Sequence, residues 1–322
     1  MPGIRSILLI ALCIAANSAS VQGQAYPTRT VRLVVGFTPG GGVDINARLL
    51  ASKLSELLGQ PVIVDNRPGA GTNIANELVA KSAPDGYTLL VASPAVAINM
   101  ALYKNLPYDT LRDFAAVSIF SESPNILVVN SSSPAKSMSE LIALARAKPG
   151  VLNYSSAGTG TTQHLAGELL KLRTGTNIVH VPYKGSAPSL TALIAGDVDL
   201  SFANVPAILQ HVKSGRLRPL VSTGTRRSEL MPDVPTVQEA GLTGVEGTVW
   251  YGVLAPAATP RDIVNKLSEA IIKAARSPDI KQRLLDQGAE PVGSTPAEFD
   301  KILHEEVAKW GEVIRASGIR AD

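Results

Sequence analysis

The sequence predicts an α/β protein built from two units around a cleft. Three observations carry this. The chain has 322 residues, more than one ordinary core organises and comfortable for two. Strand-length apolar runs alternate with amphipathic stretches of helix length, which argues a mainly parallel sheet covered on both faces. Two strand-to-helix loops, Gly36–Asp44 and Ser156–Thr161, are rich in glycine, serine or threonine, one in each half of the chain.

Taken in order, Val31–Val35 reads as a buried strand, and the first glycine loop delivers it into an amphipathic helix, Ile45–Leu58. Gly59-Gln60-Pro61 stops that helix. A short strand, Val62–Val64, runs into a second glycine-containing loop, Asp65–Thr72, and a helix from Asn73 to Ala83. Pro84-Asp85-Gly86 turns the chain into the strand Tyr87–Ala92. Ser93-Pro94 opens a further short helix, and Asn125–Asn130 leaves this first unit.

Ser137 and Glu140 form a capping box for a helix from Met138 to Lys148. The theme then restarts: strand Leu152–Ser155, the small-residue loop, and helix Thr162–Arg173. It repeats with strand Ile178–Val181 and a helix ending at Ala195. Strand Val198–Phe202, helix Val205–Ser214 and strand Leu217–Ser222 complete the unit. Val249–Leu254 reads as the return crossover, so the first unit is discontinuous. Two helices finish the chain, each opened by a threonine cap followed by proline, at Thr259-Pro260 and Thr295-Pro296. The expected organisation is a leader at 1–25, a first domain of 26–125 plus 249–322, and a second domain of 126–248.

The leader reading rests on Arg5, the apolar run Ile7–Ala16 and the small residues up to Ala25, the pattern of a cleavable secretory signal. The only cysteine, Cys13, lies inside it, leaving no thiol or disulfide beyond. A periplasmic location follows as the expectation. Net charge is +3 and aromatics are 4%, with no basic stripe, which sets nucleic acid aside as a partner.

The first loop lacks the Lys-Ser/Thr of a phosphate-binding loop and the third glycine of a dinucleotide fingerprint. Ser133-Pro134-Ala135-Lys136 has the serine–lysine spacing of penicillin-binding enzymes, but no partner motif accompanies it. The four histidines, His164, His180, His211 and His304, show no metal-ligand spacing. No nucleophile–base pair is visible, so neither catalysis nor a cofactor nor a metal is expected. What remains is anion binding. Glycines let a ligand reach the backbone, and the first N–H groups of a helix are unpaired. Asp44, in the first turn after the loop, serves either as a dipole-stabilising acid or as part of the pocket. His164, in the first turn after the second loop, is a candidate for the cleft.

Five stretches carry a resemblance: YPTRTVRLVVGFTPGGGVDINARLLA, VIVDNRPGAGTNIANELVAKSAPDGYTLL, NYSSAGTGTTQHLAGELL, VPYKGSAPSLTALIAGDVDLSFAN and DVPTVQEAG. In this order and spacing the chain resembles the solute-binding proteins of tripartite tricarboxylate transporters, the Bug or TctC-like receptors. The resemblance implies a type II periplasmic-binding-protein fold, two α/β domains joined by crossover strands and closing on a carboxylated solute. It implies a non-catalytic monomer that serves integral-membrane transporter subunits or a sensor ectodomain. It also implies carboxylate recognition by backbone N–H groups. The corresponding positions here are Phe37, Thr38, Gly40 and Gly41, with Thr72, Asn73 and Ser93 from neighbouring loops. From the second domain come Ser156, Ala157, Gly158 and Thr159, with Tyr183 and Asn204. Thr72 stands where glycine is common in the family.

Overall fold

The structure, a computed structural model, describes residues 26–320; the leader expected at 1–25 lies outside the described residues. In chain order the strands are β1 (Val31–Val35), β2 (Val62–Asn66), β3 (Thr88–Ala92), β4 (Phe114–Asn130), β5 (Asn153–Ser156), β6 (Val179–Pro182), β7 (Leu200–Asn204), β8 (Leu217–Ser222), β9 (Thr248–Pro256) and β10 (Glu290–Pro291). The helices are α1 (Gly42–Leu58), α2 (Asn73–Ala80), α3 (Ala95–Leu102), α4 (Met138–Ala147), α5 (Thr162–Thr174), α6 (Ser186–Ala195), α7 (Val205–Lys213), α8 (Arg261–Arg276), α9 (Pro278–Asp286) and α10 (Pro296–Ser317).

Two sheets share one long strand. In the first lobe the order is β2-β1-β3-β9-β4, with β10 on the far side of β4. The three strands β2, β1 and β3 are parallel; β9 and β4 run against their neighbours. In the second lobe β4 continues between β7 and β8, and β5 and β6 extend the sheet. The handover occurs at Pro124, which pairs with Thr248 of β9, while the next residue, Asn125, pairs with Asn204 of β7. Proline has no N–H to give to a ladder, which suits the point where one ladder ends and another begins.

Strand alternation builds the cores. Leu33 and Val35 face α1 and α8, whereas Val34 faces α2 and the first half of α10. In the second lobe Leu127 and Val129 face α4 and α5, whereas Ile126 and Val128 face α6 and α7. The end of α10 reaches further. Trp310 and Ile314 join Ile98 and Leu102 of α3 in the cluster that holds Leu165 and Leu169 of α5. Helices α3 and α10 therefore touch both lobes.

Several expected elements differ. The half of β4 before Ser123 escapes the sequence because its alternation is broken by register shifts at Ala116/Ser118 and Ile119/Ser121. The first of the two final helices is two, α8 and α9, separated at Ser277 with Pro278 opening the second. Thr259 does not cap α8; its hydroxyl donates to the Pro256 carbonyl at 2.7 Å. Thr295 does cap α10, in a reciprocal box with Glu298, whereas at Ser137 only half of the expected box forms: its hydroxyl accepts from the Glu140 N–H, and the Glu140 carboxylate accepts from the Lys136 N–H instead.

Phe299 of α10 is fully buried and meets Trp250 edge-on at 5.1 Å, over Gly252, where an added Cβ would lie 2.5 Å from its ring. Phe299→Ala is expected to lower stability by about 3–5 kcal/mol, read from the urea midpoint at unchanged slope.

Candidate functional site

Between the lobes, four helices begin at one place. An inner cavity of about 20 Å³ is lined by Gly41, Gly42 and Val43 at the start of α1 and by Thr161, Thr162 and Gln163 at the start of α5. Ser186 at the start of α6, Asn204 just before α7, Phe37, Ser93, Ala157 and Val249 complete it. None of these side chains is ionisable. Three of the four starts, at Gly41, Gly185 and Asn204, have no side-chain cap bond. Asn204 is 2% exposed and its Oδ1 has no hydrogen-bond partner. Unpaired N–H groups and four positive dipole ends thus converge on a small space without a cation side chain.

The first loop is held from behind. Gly40 has φ +84°, a conformation glycine adopts without strain. Its N–H donates to the Asp44 carboxylate at 2.9 Å, which also accepts from Arg48 Nε and Asn66 Nδ2, each at 2.9 Å. Burial pushes the Asp44 carboxyl up, but the bonds from Arg48, Gly40 and Asn66 outweigh it and hold it below the usual carboxylate value. Asp44 shapes the loop and lines neither cavity.

The second loop has its own support. Ser156 Oγ lies 2.7 Å from His180 Nε2 and accepts from the Gly158 N–H at 3.1 Å. His180 stacks between Tyr154 and His164, with ring centroids 4.8 and 4.2 Å away. His164 Nδ1 accepts from the Gly160 N–H at 3.3 Å. The serine–histidine contact was not visible in the sequence. Ser156 is fully buried and borders neither cavity, so the pair braces the loop.

An outer cavity of about 210 Å³ continues the cleft, with Thr72, Ala157, Gly158, Thr159 and Tyr183 among its walls. Gly36, the turn Gly69–Gly71, Tyr103, Pro182 and Lys184 complete it. That turn is strained. Ala70, Gly71 and Thr72 have φ of 48°, 60° and 81° in succession. For the two non-glycine residues this conformation costs about 1–2 kcal/mol each. Asn73 lies beneath it, accepting from Asn99 Nδ2 at 2.8 Å and from the Tyr108 hydroxyl at 2.6 Å.

Of the positions expected from the sequence, Phe37, Gly41, Ser93, Ala157 and Asn204 meet at the inner cavity. Thr72, Ala157, Gly158, Thr159 and Tyr183 meet at the outer one. Thr38, Gly40, Asp44, Asn73, Ser156 and His164 border neither. Thr38 instead joins the lobes, its N–H donating to the Lys184 carbonyl at 3.1 Å. Gln163 and Ser186 were missed. Gln163 accepts from the Ala157 N–H at 2.7 Å and donates to Ser186 Oγ at 3.1 Å. The helix-start rule, applied to the Pro182–Ser186 loop, finds Ser186; nothing local marks Gln163. A larger cavity, about 330 Å³, lies between Glu122–Pro124 and Arg226, and none of the four helix starts lines it. Among the described residues no group of three or more His, Cys, Asp or Glu could hold a metal ion, and no helix is long and apolar enough to cross a membrane.

The model of the tripartite tricarboxylate transporter family receptor matches residues 46–319. BugT of Bordetella pertussis is 37% identical over 322 residues, covering 99% of each chain. A solved R. palustris structure with adipate superposes with a TM-score of 0.89 at 40% identity, over 92% of this chain and 99% of that one. MatC from Rhodopseudomonas palustris with bound malate superposes with a TM-score of 0.86 at 34% identity, over 90% of this chain and 100% of that one. The fold is the two-lobed α/β fold of periplasmic binding proteins.

Burial, with His164 and Lys171 nearby, pushes the His180 imidazole down to about 3. Unfolded, it titrates near about 6.5. A base whose folded pKa is depressed contributes stability that is complete above the unfolded value and lost as pH falls toward the folded one. The urea midpoint should therefore fall between about pH 7 and pH 4, and His180→Gln should flatten that part of the curve.

Proposed function

The chain belongs to the tripartite tricarboxylate transporter receptor family, and from this premise we propose that it is a periplasmic receptor that captures a small carboxylate between its lobes and delivers it to integral-membrane transporter subunits. The observation that carries the reading is the convergence of four helix starts on a cavity lined by no ionisable side chain. A carboxylate there accepts hydrogen bonds from neutral N–H groups and meets positive dipole ends. It does so without the desolvation penalty of burying a cationic partner beside it.

The outer cavity gives the rest of the molecule a place, with Tyr103, Thr159, Tyr183 and Lys184 on its walls. Structural relatives with adipate and malate are consistent with a small organic acid. Both lobes supply helix starts, so one chain completes the site and a monomer suffices. Ligand contacts to both sides favour the arrangement in which the lobes meet. The chemistry is binding alone: the fold is shared by receptors, and the Ser156–His180 contact is sealed from both cavities.

A thermal-shift screen of linear organic acids, amino acids and aromatic carboxylates tests this, followed by calorimetry. A true ligand at about 1,000 times its Kd adds about 4 kcal/mol of stability. Gly41 has extended backbone (φ −82°, ψ 166°), and an added Cβ meets Ser186 at an ordinary 3.5 Å. Gly41→Ala is therefore expected to keep the melting temperature of the free protein and weaken the carboxylate-induced shift. Stabilisation by uncharged solutes only, or full affinity in Gly41→Ala, would sink the reading.

A further inference from the structure

We propose that the methyl group of Thr72 sets the width of the outer cavity and makes the protein select carboxylates whose chain is unbranched where it passes this residue. The proposal rests on the carboxylate reading and names the subclass of acid that the site takes. Two observations carry it independently.

One is the backbone. Thr72 sits at φ 81° and ψ −9°, the last of three successive left-handed residues, in a turn closed by its N–H to the Gly69 carbonyl at 3.0 Å. Glycine adopts this conformation freely; a β-branched residue there is strained. Such strain persists where the surroundings over-determine it, and it concentrates at ligand clamps.

The other is the direction of the side chain. Thr72 Oγ1 accepts from Asn76 Nδ2 at 3.2 Å and has Asn99 Nδ2 at 3.5 Å. Asn76 and Asn99 are buried and held in turn by Tyr108 and the Gly71 carbonyl. The hydroxyl is thus turned into the first lobe. The methyl is left over Gly36, where an added Cβ would lie 2.8 Å from Thr72 Cβ and 3.1 Å from Cγ2. Gly36 and Thr72 both border the outer cavity.

Serine would keep the hydroxyl bond, and glycine would relieve the backbone. What threonine alone adds is a methyl on the cavity wall, pinned by the hydroxyl and unable to rotate away without breaking that bond. A rigid wall of this kind discriminates against one extra methyl on a ligand by about ten- to two-hundredfold.

The test is calorimetry of the protein, Thr72→Ser and Thr72→Gly with adipate against 3-methyladipate and with succinate against methylsuccinate. The native protein is expected to prefer the unbranched acid of a bound pair by about tenfold or more. Thr72→Ser should bring that ratio to about threefold or less, chiefly by tightening the branched acid, and Thr72→Gly should lower the ratio likewise. An unchanged ratio in Thr72→Ser overturns the proposal, as does a native protein that takes the branched acids equally well or binds neither unbranched acid. Failure of the carboxylate reading is a separate result: no acid of the wider screen raises the melting temperature.

Discussion

Four helix starts aimed at one small space impose the strictest condition on this fold. Each carries unpaired N–H groups and about half a positive charge, and nothing in the wall neutralises them. To bring them together the chain must let two backbones approach closely. At Gly42 an added Cβ would lie 2.4 Å from Asn204 Oδ1, so any side chain would push α1 away from α7. At Gly71 it would lie 2.5 Å from the Thr159 carbonyl oxygen. The glycines of the loops are needed where the lobes face one another, and they keep the four starts within reach of a single anion.

Around that centre the polar residues divide by distance. Those at the cavities are mostly small or neutral: Gly41, Ser93, Ala157, Asn204. Those one step behind carry the stronger chemistry and spend it on their own loops. Asp44 fixes Gly40, His180 fixes Ser156, and Asn73 ties α2 to Asn99 and Tyr108. A loop held this firmly has little freedom to lose when a ligand arrives, which favours affinity through preorganisation. The same firmness lets a single methyl matter at Thr72.

Most of the architecture was legible because its signals are local. Val31–Val35 and the helix after it and the caps at Ser137 and Thr295 all depend on near neighbours and appear where periodicity and capping place them. The first half of β4 was not legible, because bulges interrupt its alternation and its partner β9 lies far along the chain. The site divides likewise. Loops that end strands and open helices point to Gly41 and Ala157 directly. Whether a residue such as Asp44 or His164 faces the ligand or braces the loop depends on the distant partners Asn66 and His180, 22 and 16 residues along the chain, which spacing alone does not reveal. Gln163 bridges Ala157 of the second loop to Ser186 at the start of α6, a role with no local trace.

The packing of α3 and α10 has a bearing on how fast such a protein could exchange its cargo. Ile98, Leu102, Trp310 and Ile314 lie in one apolar cluster with Leu165 and Leu169 of the opposite lobe. Parting the lobes exposes some of that surface to water as well as breaking polar bonds at the mouth. The resisting force is then partly hydrophobic, indifferent to screening by salt but weaker in the cold. Residence time would respond to temperature and to solvents that wet apolar surface more than to ionic strength. A seam some distance from the anion, with no part in choosing it, would govern how long it stays.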